Sequence, residues 1–273
     1  MKQQTVSIII PTLNEAGNLE RVINDVKPFA DELIVIDGHS TDNTAEIAKK
    51  HGVLFYLDER KGKGAALRLA AQKATKDILL FIDADWSHNP ADIPRLLQPI
   101  KDGNADHVSG SRMLGGSDEL FSSIREVIRL LGSEIITLTI NNRFGVRLTD
   151  SQNGFRSIRR EVFLNLDLTE DITTIEQEMV IKTLRNGYRL VEVPTHEYRR
   201  NYGDSKINVL KVGPRYVYCL VKNVLKPNIR PVPKNIAEIQ ELYRASWWNK
   251  PLQIAAEGKT KIASLESNTN PAG

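Results

Sequence analysis

The chain has 273 residues, of which 41% are hydrophobic and 26% charged, and its single cysteine cannot form an intramolecular disulfide. This length and composition allow a sizeable buried core and exclude collagen, disordered polyampholytes and disulfide-stapled miniproteins. The formal net charge of +3, from 37 Lys+Arg and 34 Asp+Glu, does not indicate a global nucleic-acid-binding surface.

Three apolar runs of strand length occur in the first hundred residues, at 6–10, 33–36 and 78–82. Each run is apolar at consecutive positions, which is typical of strands buried on both faces of a parallel sheet. Helical spacing of apolar residues between the runs predicts helices over 15–28, 41–50 and 65–74. This alternation predicts an α/β fold with a doubly wound, mostly parallel sheet.

The second half of the chain is less regular. Apolar residues at helical spacing predict a helix over 119–142 with one apolar stripe, formed by Ile124, Val127, Ile128, Leu131 and Ile135. A loop is predicted at 149–156, a helix over 176–186 that ends at Gly187, and a strand at 189–193.

Acidic residues follow the predicted strands, and ligands of doubly wound sheets bind beyond the carboxyl ends of the strands. Glu15 follows the first strand, Asp37 the second, and Asp83 and Asp85 the third. Asp83 and Asp85 are separated by one residue, so they can jointly bind a hard cation such as Mg²⁺ or Mn²⁺. Such a cation neutralises the charge of a departing diphosphate. An acidic turn without a ligand is the alternative.

Further motifs follow in a fixed order along residues 5–210. They are Pro-Thr-Leu-Asn-Glu at 11–15, Asp-Gly-His-Ser at 37–40, Lys-Gly-Lys-Gly at 61–64, Asp-Ala-Asp at 83–85, Gly-Ser-Arg at 110–112, Asp-Ser-Gln-Asn-Gly-Phe-Arg at 150–156 and Arg-Asn-Tyr-Gly-Asp-Ser-Lys at 200–206. This set resembles the inverting family 2 glycosyltransferases, and among them the polyprenyl-phosphate sugar synthases of the dolichyl-phosphate mannose synthase type. The resemblance implies the GT-A nucleotide-diphosphosugar transferase fold, a GDP-mannose or UDP-glucose type of donor, Mg²⁺ or Mn²⁺, and a dolichyl or polyprenyl phosphate acceptor.

By motif position, the resemblance also implies roles for individual residues. The nucleotide sugar is assigned to Pro11, Leu13, Glu15, Asp37, Lys63, Asp83, Arg200 and Lys206. The metal is assigned to Asp83, Asp85 and Ser87, and the acceptor phosphate to Arg112, Arg129 and Ser133. Asp85 and Arg112 are the residues expected to act in catalysis. Many relatives carry a second carboxylate where this chain has Gly38, and some carry Gln where it has Ser87.

The choice of acceptor can be argued from chemistry. A lipid phosphate is already an anion at pH 7. The transfer of a hexose to it therefore requires cations that position the phosphate, but no strong base. A glycan or soluble hydroxyl acceptor would require a base, for which Glu176 or Glu178 are candidates. A sugar-nucleotide-binding or scaffold subunit without catalysis is a third hypothesis, which the metal pair and both basic clusters disfavour.

We predict a catalytic domain over 1–204, a basic amphipathic segment over 205–230 and a tail over 231–273 whose end is disordered. The basic segment interleaves six Lys or Arg residues with aliphatic and aromatic residues. It either lies in the headgroup layer of a membrane or packs on the catalytic domain, and Gly213-Pro214 is expected to break or kink a helix there. No apolar run reaches the roughly 18 residues needed to span a bilayer. We therefore expect a cytoplasmic protein, peripheral at the cytoplasmic face of a membrane or bound to a separate membrane subunit.

Overall fold

The computed structural model describes residues 4–119, 123–200 and 209–248. The position of Lys206 and the end of the tail, which was expected to be disordered, therefore lie outside the described residues. Within the described ranges one sheet contains the strands β1 (Val6–Thr12), β2 (Glu32–Asp37), β3 (Leu54–Leu57), β4 (Ile78–Phe81), β5 (His107–Ser111), β6 (Arg156–Arg159) and β7 (Leu190–Pro194).

Helices connect and cover these strands. They are α1 (Ala16–Val26), α2 (Thr44–Lys50), α3 (Lys63–Lys73), α4 (Ile93–Lys101), α5 (Arg112–Gly115), α6 (Ile124–Phe144), α7 (Arg160–Asn165), α8 (Ile175–Arg185), α9 (Val209–Val224) and α10 (Ile236–Trp248).

The strand order is β3-β2-β1-β4-β6-β5-β7. Strand β6 runs antiparallel to both β4 and β5, whereas the other neighbouring strands are parallel. The carboxyl ends of β1, β2 and β4 therefore lie at one edge of the sheet, together with the amino end of β6. The mostly parallel sheet agrees with the predicted α/β fold class.

Two apolar layers cover the faces of the sheet, because successive strand residues point to opposite sides. Ile8 and Ile10 of β1 pack with residues of α1 and α4, whereas Ile9 packs with residues of α3, α7 and α8. All three of these side chains are fully buried. The continuous apolar runs in the sequence follow from this burial on both faces.

A third apolar cluster joins α6, α8 and α9, and includes Ile140, Leu184 and Leu220. Helix α9 continues through Pro214, so the expected break is wrong. Pro214 removes only one intrahelical hydrogen bond, because it lacks an N–H, and the packing of Leu220 keeps the following turns in place. Across the described ranges, none of the helices is both long and apolar enough to span a membrane.

Candidate active site

The tips of β1 and β2 are connected by hydrogen bonds around Asp37. This carboxylate is 2% exposed and accepts hydrogen bonds from the Thr12 hydroxyl at 3.0 Å and the Ser40 amide at 2.9 Å. Asn14 and His39, in the two loops that follow, have φ of 54° and 66°. The Asn14 amide donates to Ser40 at 2.7 Å, so the loops that carry Leu13 and Glu15 are tied to Asp37.

Lys63 lies between two carboxylates at the centre of the site. Its Nζ is 2.6 Å from Asp83 Oδ1 and 2.9 Å from Glu176 Oε1. Burial opposes the charge of Lys63, but Asp83 and Glu176 together raise its pKa above the ordinary value. Burial likewise opposes the ionisation of Asp83, but Lys63 and His88 lower the pKa of Asp83. The site therefore contains an ammonium group and a carboxylate in contact.

The glycines around Lys63 allow a close approach of two loops. A Cβ at Gly64 would collide with the carbonyl oxygen of Glu170, and one at Gly62 would lie 2.8 Å from that of Asp171. Gly62 also has φ of 119°, which favours glycine. The Gly-Lys-Gly pattern thus permits α3 to begin against residues 170–172, with Lys63 directed at Asp83.

Asp85 is held on both sides by polar groups. Its Oδ2 is 3.0 Å from an Arg200 guanidinium nitrogen, and its Oδ1 accepts hydrogen bonds from the Ser87 hydroxyl at 2.7 Å and the Ser87 amide at 3.1 Å. Coulombic attraction from Asp85 raises the pKa of Arg200 in spite of burial. The Ser87 hydroxyl thus donates a hydrogen bond to Asp85.

The donor set fits a divalent cation that arrives with a diphosphate. Asp83 and Asp85 supply hard oxygens at one strand tip, and each already faces a cationic side chain. In the described part of the chain, no group of three or more His, Cys, Asp or Glu residues could hold a metal ion. Mg²⁺ typically binds through one or two carboxylates and completes its octahedron with water and phosphate oxygens, so two carboxylates are sufficient.

Arg112 is fixed by two carboxylates at the start of α5. Its Nε and a terminal nitrogen contact the two oxygens of Asp150 at 2.6 and 3.0 Å, and its other terminal nitrogen is 3.4 Å from Glu197. Burial opposes the charge of Arg112, whereas Asp150 raises its pKa. Asp150 is in turn positioned by Glu192, which accepts its backbone N–H at 2.8 Å. The guanidinium is therefore preorganised.

A cavity of about 500 Å³ connects these groups with α6 and α9. Among the predicted site residues, its lining includes Lys63, Asp83, Ser87, Arg112, Arg129, Ser133 and Arg200. Arg129 also pairs with Glu126 at 2.7 Å on the same helix. The lining does not include Asp85, which is ion-paired with Arg200, nor Pro11, Leu13, Glu15 and Asp37 at the tips of β1 and β2. The structure thus brings the predicted acceptor residues and part of the donor residues to one space.

His88 and Glu197 line the cavity but were not among the residues predicted for the site. His88 lies 3.6 Å from Asp83 Oδ2 and stacks on Phe155 with ring centroids 4.9 Å apart. Glu197 contacts Arg112 and accepts the Ser117 hydroxyl at 2.5 Å. His88 lacks metal-ligand spacing to another His, and Glu197 is far from Arg112 in sequence, so local patterns gave no signal for either one.

The chain is similar to known glycosyltransferases in sequence and to a solved structure in fold. Residues 7–166 match the family model described as glycosyl transferase family 2. Glycosyltransferase AglJ of Haloferax volcanii is 32% identical over 76% of this chain and 68% of its own length. A dolichyl-phosphate hexose transferase of the same organism is 27% identical over 82% of this chain and 96% of its own length. A crystal structure of glucosyl-3-phosphoglycerate synthase from Mycobacterium tuberculosis, with Mn²⁺, UDP and glucosyl-3-phosphoglycerate, superposes with a TM-score of 0.63 at 22% identity, covering 83% of this chain and 82% of that one.

Proposed function

The chain belongs to glycosyl transferase family 2, and on that premise we propose that it transfers a hexose, with inversion, from a nucleotide diphosphate sugar to a polyprenyl or dolichyl phosphate. One observation carries the proposal: a single cavity is lined by Asp83 after β4, by the Lys63–Glu176 ion pair beside it, and by two arginines, Arg112 and Arg129, on its α5 and α6 walls. The dolichyl-phosphate hexose transferase of Haloferax volcanii supports this choice of acceptor.

The donor half of the site would bind the diphosphate of the nucleotide sugar. We assign Asp83 and Asp85 to Mg²⁺ or Mn²⁺, with Ser87 orienting Asp85. When bound, the cation stabilises negative charge on the leaving diphosphate. Arg200 lies 3.0 Å from Asp85, so its guanidinium would be close enough to stabilise the same phosphates electrostatically.

The remaining donor residues surround the neighbouring strand tips. We assign the nucleoside to Pro11, Leu13, Glu15 and Asp37, because the carboxyl ends of parallel strands form the ligand crevice of such sheets. Leu13 is 43% exposed, so its side chain is accessible to a ligand. Lys206 has a donor role by motif position.

The acceptor half would hold a phosphate for in-line attack. Arg112 offers a preorganised guanidinium, and Arg129 and Ser133 lie four residues apart on one face of α6. A phosphate oxygen attacks the anomeric carbon, the bond from that carbon to the nucleotide diphosphate breaks, and no proton has to be removed. The role of the two arginines is therefore to orient the nucleophile.

The environment of the candidate bases favours a phosphate acceptor over a hydroxyl. Glu176 is ion-paired with Lys63 at 2.9 Å. The Glu178 carboxylate accepts hydrogen bonds from the backbone amides of Thr169 and Glu170, and it lies 2.9 Å from the ammonium group of Lys182. Burial raises the pKa of Glu178, but these partners outweigh burial and lower it. Each carboxylate is thus paired with a lysine, and Glu178 does not line the cavity.

A hydroxyl acceptor is the second candidate, because Glu176 lines the cavity. The two candidates differ in what they require of this carboxylate. Glu176→Gln would abolish transfer to a hydroxyl, whereas transfer to a phosphate would persist with a change of at most about tenfold, since only the partner of Lys63 is altered.

The test is a donor panel with purified protein. Labelled GDP-mannose and UDP-glucose are each incubated with dolichyl phosphate and Mg²⁺ or Mn²⁺, and the chloroform-soluble label is counted. We expect a labelled lipid product with one donor, its loss on chelation of the metal, and a loss of at least about a hundredfold in Asp85→Ala. The absence of a lipid product with every donor would refute the proposal. Because the acceptor is a lipid, we also propose that the protein acts at a membrane surface, on its cytoplasmic face.

A further inference from the structure

Helix α6 carries a stripe of apolar side chains that point away from the protein. Its members and their exposed fractions are Ile124 (83%), Ile128 (55%), Leu131 (58%), Ile135 (65%) and Leu138 (62%). Their spacing of four and three residues places them on one face of the helix, along roughly 21 Å at 1.5 Å per residue. Four of these residues belong to the stripe predicted from the sequence, whose other member, Val127, is half-buried. The core of the protein is packed against the other side of α6, through Ile136, Ile140 and Phe144.

Helix α9 extends the stripe sideways. Val217, Tyr218 and Val221 are 59%, 54% and 48% exposed, and Leu225, directly after the helix, is 78% exposed. The two helices are in contact, since the Nε of Arg143 on α6 donates to the carbonyl of Val224 at 3.1 Å. We call these nine side chains of α6, α9 and residue 225 the apolar face. Contiguous apolar surfaces of this kind mark interaction sites rather than ordinary solvent-exposed surface.

The apolar face is continuous with the cavity of the active site. Ile128, Ile135 and Val217 are more than half exposed and also line the cavity. The cavity extends from these residues to Arg112 and Arg129. An apolar phase in contact with the face would therefore be connected, through apolar walls, to the cationic groups of the acceptor site.

Charge next to the apolar face favours an anionic partner. Residues 205–237 include no Asp or Glu. Lys226 and Arg230 are exposed and directly follow Leu225 and Ile229, which are 78% and 64% exposed. Lys234 is exposed as well. Alternation of basic and apolar side chains is typical of segments in the headgroup layer of a membrane with anionic lipids.

We infer that the apolar face docks on the surface of a bilayer that contains anionic lipids, so that a polyprenyl chain reaches the cavity between α6 and α9 without leaving the apolar phase. The entry of the chain rests on the proposed function, whereas the docking itself does not. A second copy of this chain would cover the apolar face but would bring Lys226, Arg230 and Lys234 of two molecules together, so the charge favours the bilayer.

The experiment measures flotation of the full chain with vesicles that contain no polyprenyl phosphate. One vesicle is phosphatidylcholine alone, and the other contains about a third phosphatidylglycerol. We expect binding to the anionic vesicles and at least tenfold weaker binding of the double variant Leu131→Glu/Leu138→Glu, whose sites lie on the apolar face but not in the cavity lining. The matched control is Leu164→Glu/Leu242→Glu, at sites that are 41% and 58% exposed on α7 and α10. It should bind like the unmodified protein.

Three results would overturn the docking inference. They are no flotation of the unmodified protein with anionic vesicles, equal flotation of both double variants, and a dimer in light scattering that the Leu131/Leu138 change dissociates. A separate assay uses a short, water-soluble polyprenyl phosphate as acceptor, for which the Leu131/Leu138 variant should keep its rate within about twofold. If the unmodified protein floats but does not transfer to that acceptor, the proposed acceptor is wrong and the docking surface stands.

Discussion

Trp86 and Tyr198 stack with ring centroids 5.6 Å apart and ring planes 11° apart. Trp86 directly follows Asp85, and Tyr198 lies two residues before Arg200, which is the ion-pair partner of Asp85. The stack therefore joins the turn after β4 to the segment after β7. Arg21 lies 3.3 Å over the Trp86 ring, and the indole N–H donates to Asp25 at 2.9 Å, so three contacts hold Trp86 in a left-handed backbone conformation with φ of 59°.

This conformation predicts an unusual order of stability at position 86. Both Trp86→Ala and Trp86→Gly lose the stack, but only glycine removes the backbone strain at positive φ. We expect the glycine variant to be more stable than the alanine variant by about 1 kcal/mol, the reverse of the usual order. Urea unfolding measures the difference. Both variants should also raise the KM for the donor, because the stack no longer holds the turn with Asp85 against the segment with Arg200. Trp86→Phe keeps an aromatic ring there, so its KM should stay close to that of the unmodified protein.

Lys63 is expected to contribute to stability and to activity in separable ways. Lys63→Met leaves Asp83 and the buried Glu176 without their shared cation, which should cost about 3 kcal/mol of unfolding free energy. Adding Glu176→Gln removes one uncompensated charge and should recover at least about 1 kcal/mol. Transfer should stay reduced by about a hundredfold in both variants. A double variant no more stable than Lys63→Met would contradict the geometry of the triad.

A side chain at Gly154 is predicted to disturb the contact between Lys63 and Asp83. An added Cβ would lie 2.9 Å from Lys63 Nζ and 3.1 Å from Asp83 Oδ2, so Gly154→Ala should push these two groups apart and lower transfer at least tenfold. The matched control for folding is Gly132→Ala, where an added Cβ meets nothing within 4 Å on α6. That change should stabilise the protein by about 0.5–1 kcal/mol. Thermal unfolding and the transfer assay together check both statements.

Glu192 gives the protein a pH-dependent stability. Burial raises the pKa of Glu192 to about 7, although the amides of Asp150 and Thr149 act in the opposite direction. In the unfolded chain the pKa of Glu192 is about 4.5. Between pH 4.5 and pH 7 the folded protein therefore binds one more proton than the unfolded chain, so the free energy of unfolding falls as the pH rises from 4.5 to 7. The loss is at most about 3–4 kcal/mol, since each pH unit between these two pKa values corresponds to about 1.36 kcal/mol.

Glu192→Gln removes the titrating group but leaves one backbone N–H, of Thr149 or Asp150, without its acceptor, because the Gln NH2 can only donate. We therefore expect the variant to be less stable than the unmodified protein by about 1–3 kcal/mol at pH 5, and this deficit to shrink or reverse by pH 8. Urea unfolding at both pH values provides the measurement. A constant difference between the two proteins from pH 5 to pH 8 would exclude this origin of the pH dependence.

The sequence was most informative where burial on both faces left continuous apolar runs. Strands β1, β2 and β4 were predicted nearly at their observed bounds. Because the ends of these strands were predicted well, the acidic residues that follow them could be assigned to the site. Strands β3, β5 and β6 were missed. Strands β3 and β6 span only four residues each, and β3 has two exposed leucines, Leu54 and Leu57. Strand β5 is fully buried but Val108 is its only large apolar residue, so none of the three shows a continuous apolar run.

The contacts of the candidate site could not be predicted, because they join distant segments. Asp150 is 38 residues from Arg112, and Glu176 lies on a different helix from Lys63. Motif order indicated that these residues belong to one site but gave no information on which carboxylate faces which cation. The direction of the α6 stripe was equally hidden, since helical spacing defines a face of a helix without specifying what that face contacts.

The reversed direction of β6 has a consequence for how the two halves of the site can change. Because β6 enters the sheet between β4 and β5 from the ligand edge, the loop before it, with Asp150 and Gly154, is inserted directly between the donor strand tips and Arg112. Changes at the Asp150 end of this largely buried loop would alter the position of Arg112, whereas changes at Gly154 would reach Lys63 and Asp83. Variation at the Asp150 end is thus a physical route to new acceptor specificity while the hydrogen bonds at the tips of β1 and β2 stay in place.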